Sequence, residues 1–227
     1  MKNKSYVFVV TYGRSGSTLL NGVLNSIPGY TIKGENNNAF YHLYLFYKNM
    51  LQAQCNNDVM QQNFNVKESR NSWWNDVHEN SMKQYIQYLM NNTLDYYNNH
   101  RVVGFKEIRY YSIEDLSEYL NWLHDITNCR FIYLTRNLDD VVQSEWFKNN
   151  PEIWKDKLRC FKSNIRHHIT HHLNQQWYHI TYDNFKEDLV GLFDFLGEEY
   201  KPDVIKGVLA TPHGYKTNGK IKVIKYE

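Results

Sequence analysis

The chain has 227 residues, 26 basic against 24 acidic, with a formal net charge of +2, a size that suits one α/β domain and is too small for two typical domains with linkers. Such a balance lacks the one-sided positive field of a protein that lives on nucleic acid, so any anion site must be local. Cys55, Cys129 and Cys160 are odd in number and in no metal-ligand spacing, which points to free thiols in a reducing, cytoplasmic compartment, and no run approaches the ~20 apolar residues of a membrane helix.

The opening "MKNKSYVFVV" lacks the long apolar region and cleavage site of a signal peptide and reads as a first strand over 6–11. After "TYGRSGSTLL" (11–20), Leu19, Leu20, Val23, Leu24 and Ile27 recur at helical spacing until Pro28. Residues 30–33 read as a short strand and 39–53 as an aromatic-rich helix. The polar segment 56–76 reads as an insertion on the acceptor side, ahead of a helix over 77–97. There follow a strand at 101–105, a helix at 113–126, a strand at 130–134, a helix from 138 and a long helix from Pro151. A strand at 177–181 and a helix at 185–196, stopped by Gly197, complete the pattern. Strands alternating with helices predict one domain over 1–227, a parallel sheet covered on both faces with ligands at the carboxyl ends of its strands.

The turn at 11–18 has the backbone logic of a phosphate loop without its lysine. Aligned with G-x-x-x-x-G-K-[ST], Gly16 and Thr18 fit, whereas Thr11 stands at the first glycine and Ser17 at the lysine. Free N–H groups and the positive helix end still converge on one anion. Ser15, Ser17 and Thr18 add hydroxyls and Arg14 a fixed fork of charge. An ATP site needs the lysine for its β and γ phosphates and the Ser/Thr hydroxyl for magnesium; a 5′-phosphosulfate needs neither. The plain alternative is a serine-rich turn whose hydroxyls only cap the helix.

"YGRSGSTLL" after a strand resembles the 5′-phosphosulfate loop of sulfotransferases that use 3′-phosphoadenylyl sulfate (PAPS). "RFIYLTRNLDDVVQSEWF" (130–147) resembles that family's 3′-phosphate signature, with Arg136 beyond a strand and Ser144 eight positions on, placed about two turns into a helix. Read alone, the same residues are a solvated arginine and an ordinary helical serine. "HITYDNF" (179–185) resembles the family's "YEDL" element, which implies Tyr182 near the nucleotide, although Asp183 stands where glutamate is usual and a core tyrosine is the bland reading.

The resemblance also implies catalytic roles. "YTIKGENNN" (30–38) places Glu35 in a "GE" element like the one that carries the base in tyrosylprotein and several carbohydrate sulfotransferases, with Asn36 where the tyrosylprotein pattern has a second glutamate. "VVGFKEIRY" (102–110) ends a strand with Lys106, where the family uses a lysine to neutralise the bridging or leaving oxygen, and Glu107 and Arg109 stand ready to orient it or to meet the acceptor. "HHITHH" (167–172) has zinc-like i,i+4 spacing but no carboxylate or CxxC set nearby, so an exposed polar face and no metal site are expected. Trp73 and Trp74 read as packing residues or as acceptor-pocket walls, and Lys216 and Lys220 in "PHGYKTNGK" fall where a basic closing loop would be useful.

These expectations define a three-layer, P-loop NTPase-like sulfotransferase fold that uses PAPS and releases 3′-phosphoadenosine 5′-phosphate (PAP) without a metal. The acceptor would be a hydroxyl, or alternatively an amine, on a small molecule, carbohydrate or peptide. An ATP-dependent phosphotransferase and a non-catalytic nucleotide-binding adaptor are the rival readings.

Overall fold

The computed structural model of the chain describes residues 4–63, 77–97, 99–171 and 176–211. Five strands, β1 (Ser5–Val10), β2 (Tyr30–Lys33), β3 (Val102–Glu107), β4 (Arg130–Thr135) and β5 (Trp177–Thr181), form one sheet in the order β2-β3-β1-β4-β5. Every pairing is parallel. In β1 all residues but Ser5 are buried, as expected for a β-branched and aromatic run covered on both faces. β1 and β3 lie so close at the Val7 and Gly104 pairing that a Cβ on Gly104 would fall 1.6 Å from the Val7 carbonyl oxygen; only glycine fits there.

Parallel neighbours need crossovers, and eight helices supply them among the described residues: α1 (Ser17–Asn25), α2 (Ala39–Asn63), α3 (Glu79–Leu94), α4 (Leu116–Thr127), α5 (Leu138–Val142), α6 (Pro151–His171), α7 (Phe185–Leu196) and α8 (Pro202–Ala210). Side chains of α2, α3, α4, α5 and α6 build the core on one face of the sheet with Phe8, Phe105 and Phe131. Those of α1, α7 and α8 close the other with Val9, Ile132 and Ile180. From β1 the chain runs to one side for β2 and β3 and then to the other for β4 and β5. β1 is thus the switch point, and the crevice beyond its carboxyl end is where such sheets bind ligands.

Several boundaries differ from expectation. α2 does not stop near residue 53 but continues to Asn63, so the first part of the expected 56–76 insertion is helix. The stretch holds no glycine or proline, and a polar composition alone does not end a helix. The remainder of that insertion, with Trp73 and Trp74, lies outside the described residues, as do His172, Lys216 and Lys220. The helix expected from 113 begins at Leu116, preceded by a 3-10 turn (Tyr110–Ser112), and ends at a left-handed Asn128, φ 48°.

At the amino-terminal rim of the sheet, ion pairs brace the elements. Lys4 pairs with Asp95 at 2.5 Å, both side chains nearly inaccessible, and His100 adds its ring and backbone nitrogens to the same carboxylate at 3.0 and 2.9 Å. Arg101 grips Glu198 with both terminal nitrogens at 2.8 and 2.7 Å, and Tyr30 donates to the same acid at 3.0 Å.

Candidate active site

Arg14 to Thr18, Glu35, Lys106, Arg136, Ser144 and Tyr182 collect at the opposite, carboxyl-terminal rim. The loop from β1 to α1 is held from within. Thr11 Oγ1 lies 2.8 Å from the Leu134 carbonyl and 2.7 Å from Ser15 Oγ. A carbonyl only accepts, so the Thr11 proton goes to Leu134 and Ser15 donates to Thr11. The buried Ser15 hydroxyl is thus tied, through Thr11, to β4.

Arg14 and Gly16 both take left-handed backbone angles, φ 66° and 90°. At Gly16 a Cβ would lie 2.1 Å from Cδ2 of Tyr182, so the tyrosine ring packs directly on the glycine. α1 begins with Gly16 as its N-cap, without a side-chain cap bond and without an acid in its first turn. The hydroxyls of Ser15, Ser17 and Thr18 therefore do not cap the helix. Its leading N–H groups and the positive end of its dipole remain available to an anion. Ser17 is buried and Thr18 exposed.

Arg136 joins this loop from the end of β4. Its guanidinium lies 4.6 Å over the Tyr182 ring, and its Nη1 donates to the Arg14 carbonyl at 3.3 Å. Its Nε, screened from solvent, bonds nothing among the described residues, and neither does Ser144 Oγ. Ser144 is not two turns into a helix as expected. α5 ends at Val142, and the Ser144 carbonyl accepts from Phe147 and Lys148 in a separate turn at 3.0 Å each. That turn meets the phosphate-type loop: a Cβ on Gly13 would lie 3.1 Å from the Trp146 indole and 3.4 Å from the Phe147 ring.

A second cluster lies at the ends of β2 and β3. Lys106 Nζ, on an almost fully buried side chain, donates to Glu35 Oε1 at 2.7 Å, and Arg109 Nη1 to Oε2 at 3.2 Å, so each oxygen of Glu35 has a cation. Glu107, 1% exposed, organises the surroundings. Its Oε2 accepts from the backbone N–H groups of Asn36 and Asn38 at 3.0 and 3.2 Å. Its Oε1 accepts from those of Ile108 and Arg109 at 2.8 and 3.1 Å and from Arg109 Nη1 at 3.2 Å. The turn that carries Glu35, with Asn37 and Asn38 in left-handed conformations, is thereby tied to the end of β3.

Sequence reasoning missed Tyr12. This buried residue bridges Arg109 through its backbone, and its hydroxyl lies 2.8 Å from the Arg136 carbonyl and 2.9 Å from the Arg136 nitrogen. Nothing in a tyrosine beside a glycine-rich turn signals such a contact, which depends on how the strands are ordered. The histidine run also differs from a uniformly polar face: His167 and His171 are exposed and stacked at 4.1 Å, whereas His168 is buried against Ser117, Nδ1 to Oγ 2.7 Å. Among the described residues no three His, Cys, Asp or Glu side chains are placed to hold a metal, and no helix is long and apolar enough to cross a membrane.

The sequence pattern that defines the sulfotransferase family fits residues 6–202. Among solved structures, the sulfotransferase domain from the curacin biosynthetic pathway superposes with a TM-score of 0.57 at 17% identity, covering 88% of this chain and 76% of that one. A sulfotransferase from Alicyclobacillus acidocaldarius does so with a TM-score of 0.51 at 14% identity, covering 91% of this chain and 90% of that one. At these identities the likeness establishes a shared α/β fold. No curated protein matches the sequence. The family pattern takes in most of the chain, from the second residue of β1 to the first residue of α8, and the chain therefore belongs to the sulfotransferase family, whose enzymes transfer sulfonate groups.

Proposed function

We propose that the protein transfers the sulfonate of PAPS to an acceptor hydroxyl on a small molecule, carbohydrate or peptide and releases PAP. The observation that carries this reading is the pair of buried, unbonded polar atoms, Arg136 Nε and Ser144 Oγ, beside a helix start that has neither a capping side chain nor a first-turn acid. Unpaired buried polar groups are costly, and a dianionic phosphate would satisfy both. In this reading Arg136 and Ser144 take the 3′-phosphate and the N–H groups of residues 14–18 with the Arg14 fork take the 5′-phosphosulfate. Tyr182 contributes the platform on which Arg136 rests. Such a cradle of backbone donors and arginine forks suits an anion held without a metal.

The chemistry is an in-line displacement. The acceptor oxygen attacks sulfur, its proton passes to the Glu35 carboxylate, and the bond from sulfur to the 5′-phosphate oxygen breaks. Lys106, held on a nearly buried side chain beside Glu35, would stabilise the charge that develops on the leaving oxygen, as fixed cations do. The two cations on Glu35 also fix its orientation, which proton removal in the transition state requires. The free Cys55, Cys129 and Cys160 support a reducing, cytoplasmic setting, and the continuous sheet supports a single domain.

Thermal shift with nucleotides tests the donor. PAP at 100 times its Kd should stabilise the protein by about 2.7 kcal/mol, and ATP with magnesium by less; the reverse order would reject a PAPS-type donor. Transfer assayed with PAPS over an acceptor panel tests the base: Glu35→Gln should lower kcat by roughly 10²- to 10⁴-fold with PAP affinity unchanged.

A further inference from the structure

We propose that Tyr12 is a positioning residue for donor binding, its hydroxyl setting the point from which the Arg136 side chain departs toward the nucleotide. This inference rests on the reading of the rim as the PAPS site and adds to it a residue that contacts no donor atom.

β4 pairs with β5 as far as Thr135, whose carbonyl accepts from Tyr182 N at 2.7 Å. Arg136 is the first residue past that ladder, so its N–H and C=O have no strand partner. The Tyr12 hydroxyl serves both: it donates to the Arg136 carbonyl at 2.8 Å and accepts from the Arg136 N–H at 2.9 Å. Two bonds from one oxygen to the two sides of one residue fix its position and its backbone rotation together. The ring that carries this oxygen is itself held, fully buried and edge-on to Phe161 at 6.2 Å. Burial is the main cause that pushes the Tyr12 phenol up to about 12, so the proton needed for the donated bond is retained throughout the neutral range.

Tyr12 also touches the other half of the site, but by different atoms. Its backbone forms an antiparallel bridge with Arg109, whose guanidinium holds Glu35. Removing the hydroxyl therefore cuts the link to Arg136 and leaves the link to the base in place. A residue that merely stabilised the fold would not separate donor affinity from turnover in this way.

The test is a double-mutant cycle read by calorimetric titration with PAP and by steady-state kinetics. Tyr12→Phe keeps the ring and should weaken PAP about tenfold, the equivalent of about 1.4 kcal/mol, raise the donor KM in parallel and leave kcat within about twofold. On an Arg136→Ala background the same change should cost nothing further, because the side chain being positioned is gone. Tyr133→Phe is the control: this neighbouring tyrosine is 1% exposed and its hydroxyl bonds nothing among the described residues, so PAP affinity should hold. A Tyr12→Phe protein that binds PAP like wild type, or a tenfold loss that persists in full on the Arg136→Ala background, overturns the inference. Failure of the wild-type protein to bind PAP overturns the donor reading and this inference with it. Amide exchange in the wild-type protein needs no variant: the Arg136 N–H should be protected before any nucleotide is added, and rapid exchange there overturns the proposal.

Discussion

Glu107→Gln is the sharpest test of how the second cluster is built. The carboxylate receives five donors: the backbone N–H groups of Ile108 and Arg109 with the Arg109 guanidinium on Oε1, and those of Asn36 and Asn38 on Oε2. An amide can satisfy one of these sides. Its NH₂ must face the other, and the less costly orientation turns it toward Asn36 and Asn38, where two donors rather than three lose their acceptor. Each unpaired buried donor costs about 1–3 kcal/mol. Asn36 and Asn38 are only partly buried and water can reach them, so a total near the lower end, about 2–3 kcal/mol, is expected. The loss should appear as a lower urea midpoint. Because the loosened turn carries Glu35, kcat should fall as well, while PAP affinity, which depends on the other cluster, should hold. A variant whose unfolding free energy stays within about 0.5 kcal/mol of wild type with unaltered kcat would refute the account.

Two further outcomes are expected. Gly16→Ala forces a Cβ to within 2.1 Å of the Tyr182 ring at φ 90°; backbone strain of about 1–2 kcal/mol should lower the urea midpoint, loss of the Arg136 platform at about 0.5–1 kcal/mol should raise the Kd for PAP by about 2- to 5-fold, and a variant with both unchanged would contradict the packing. For Asp95, burial alone would raise the carboxyl, but the hydrogen bonds from Lys4, from the His100 ring and from the His100 backbone outweigh it and hold the group well below the usual carboxylate range. A carboxyl depressed by folding stabilises the native state above its unfolded value of about 3.9 and loses that contribution as pH falls through the folded value. Melting temperature should thus decline below about pH 4, and Asp95→Asn should flatten that acid limb while costing about 3–5 kcal/mol at neutral pH, because Lys4 is left buried and unpaired; an acid limb as steep in the variant as in wild type would argue against the pair.

What was legible in the sequence was what is local. The strand at 5–10 showed in its apolar run, the turn into α1 in its glycine and serines, and α7 in an apolar period closed by Gly197. The two signatures, Glu35 and Lys106 all lie at the carboxyl-terminal rim, where a parallel sheet puts every strand end. Which of them touch was not legible. That Lys106 bonds Glu35, or that Tyr182 rests on Gly16, follows from the strand order, and no spacing within either segment encodes it. Helix ends without a glycine or proline, such as that of α2, were likewise invisible, and α8 escaped notice because its apolar face packs on α1 over a short run. Glu107 was expected, with Arg109, to orient Lys106 or to meet the acceptor; that it also holds the turn after β2 is a long-range consequence of β2 and β3 being neighbours.

The braces at the amino-terminal rim, Lys4 with Asp95 and Arg101 with Glu198, stand a full strand away from the proposed reacting groups, about 20 Å for six residues of β structure. Thermotolerance can therefore be engineered at one pole while substrate turnover is tuned at the other.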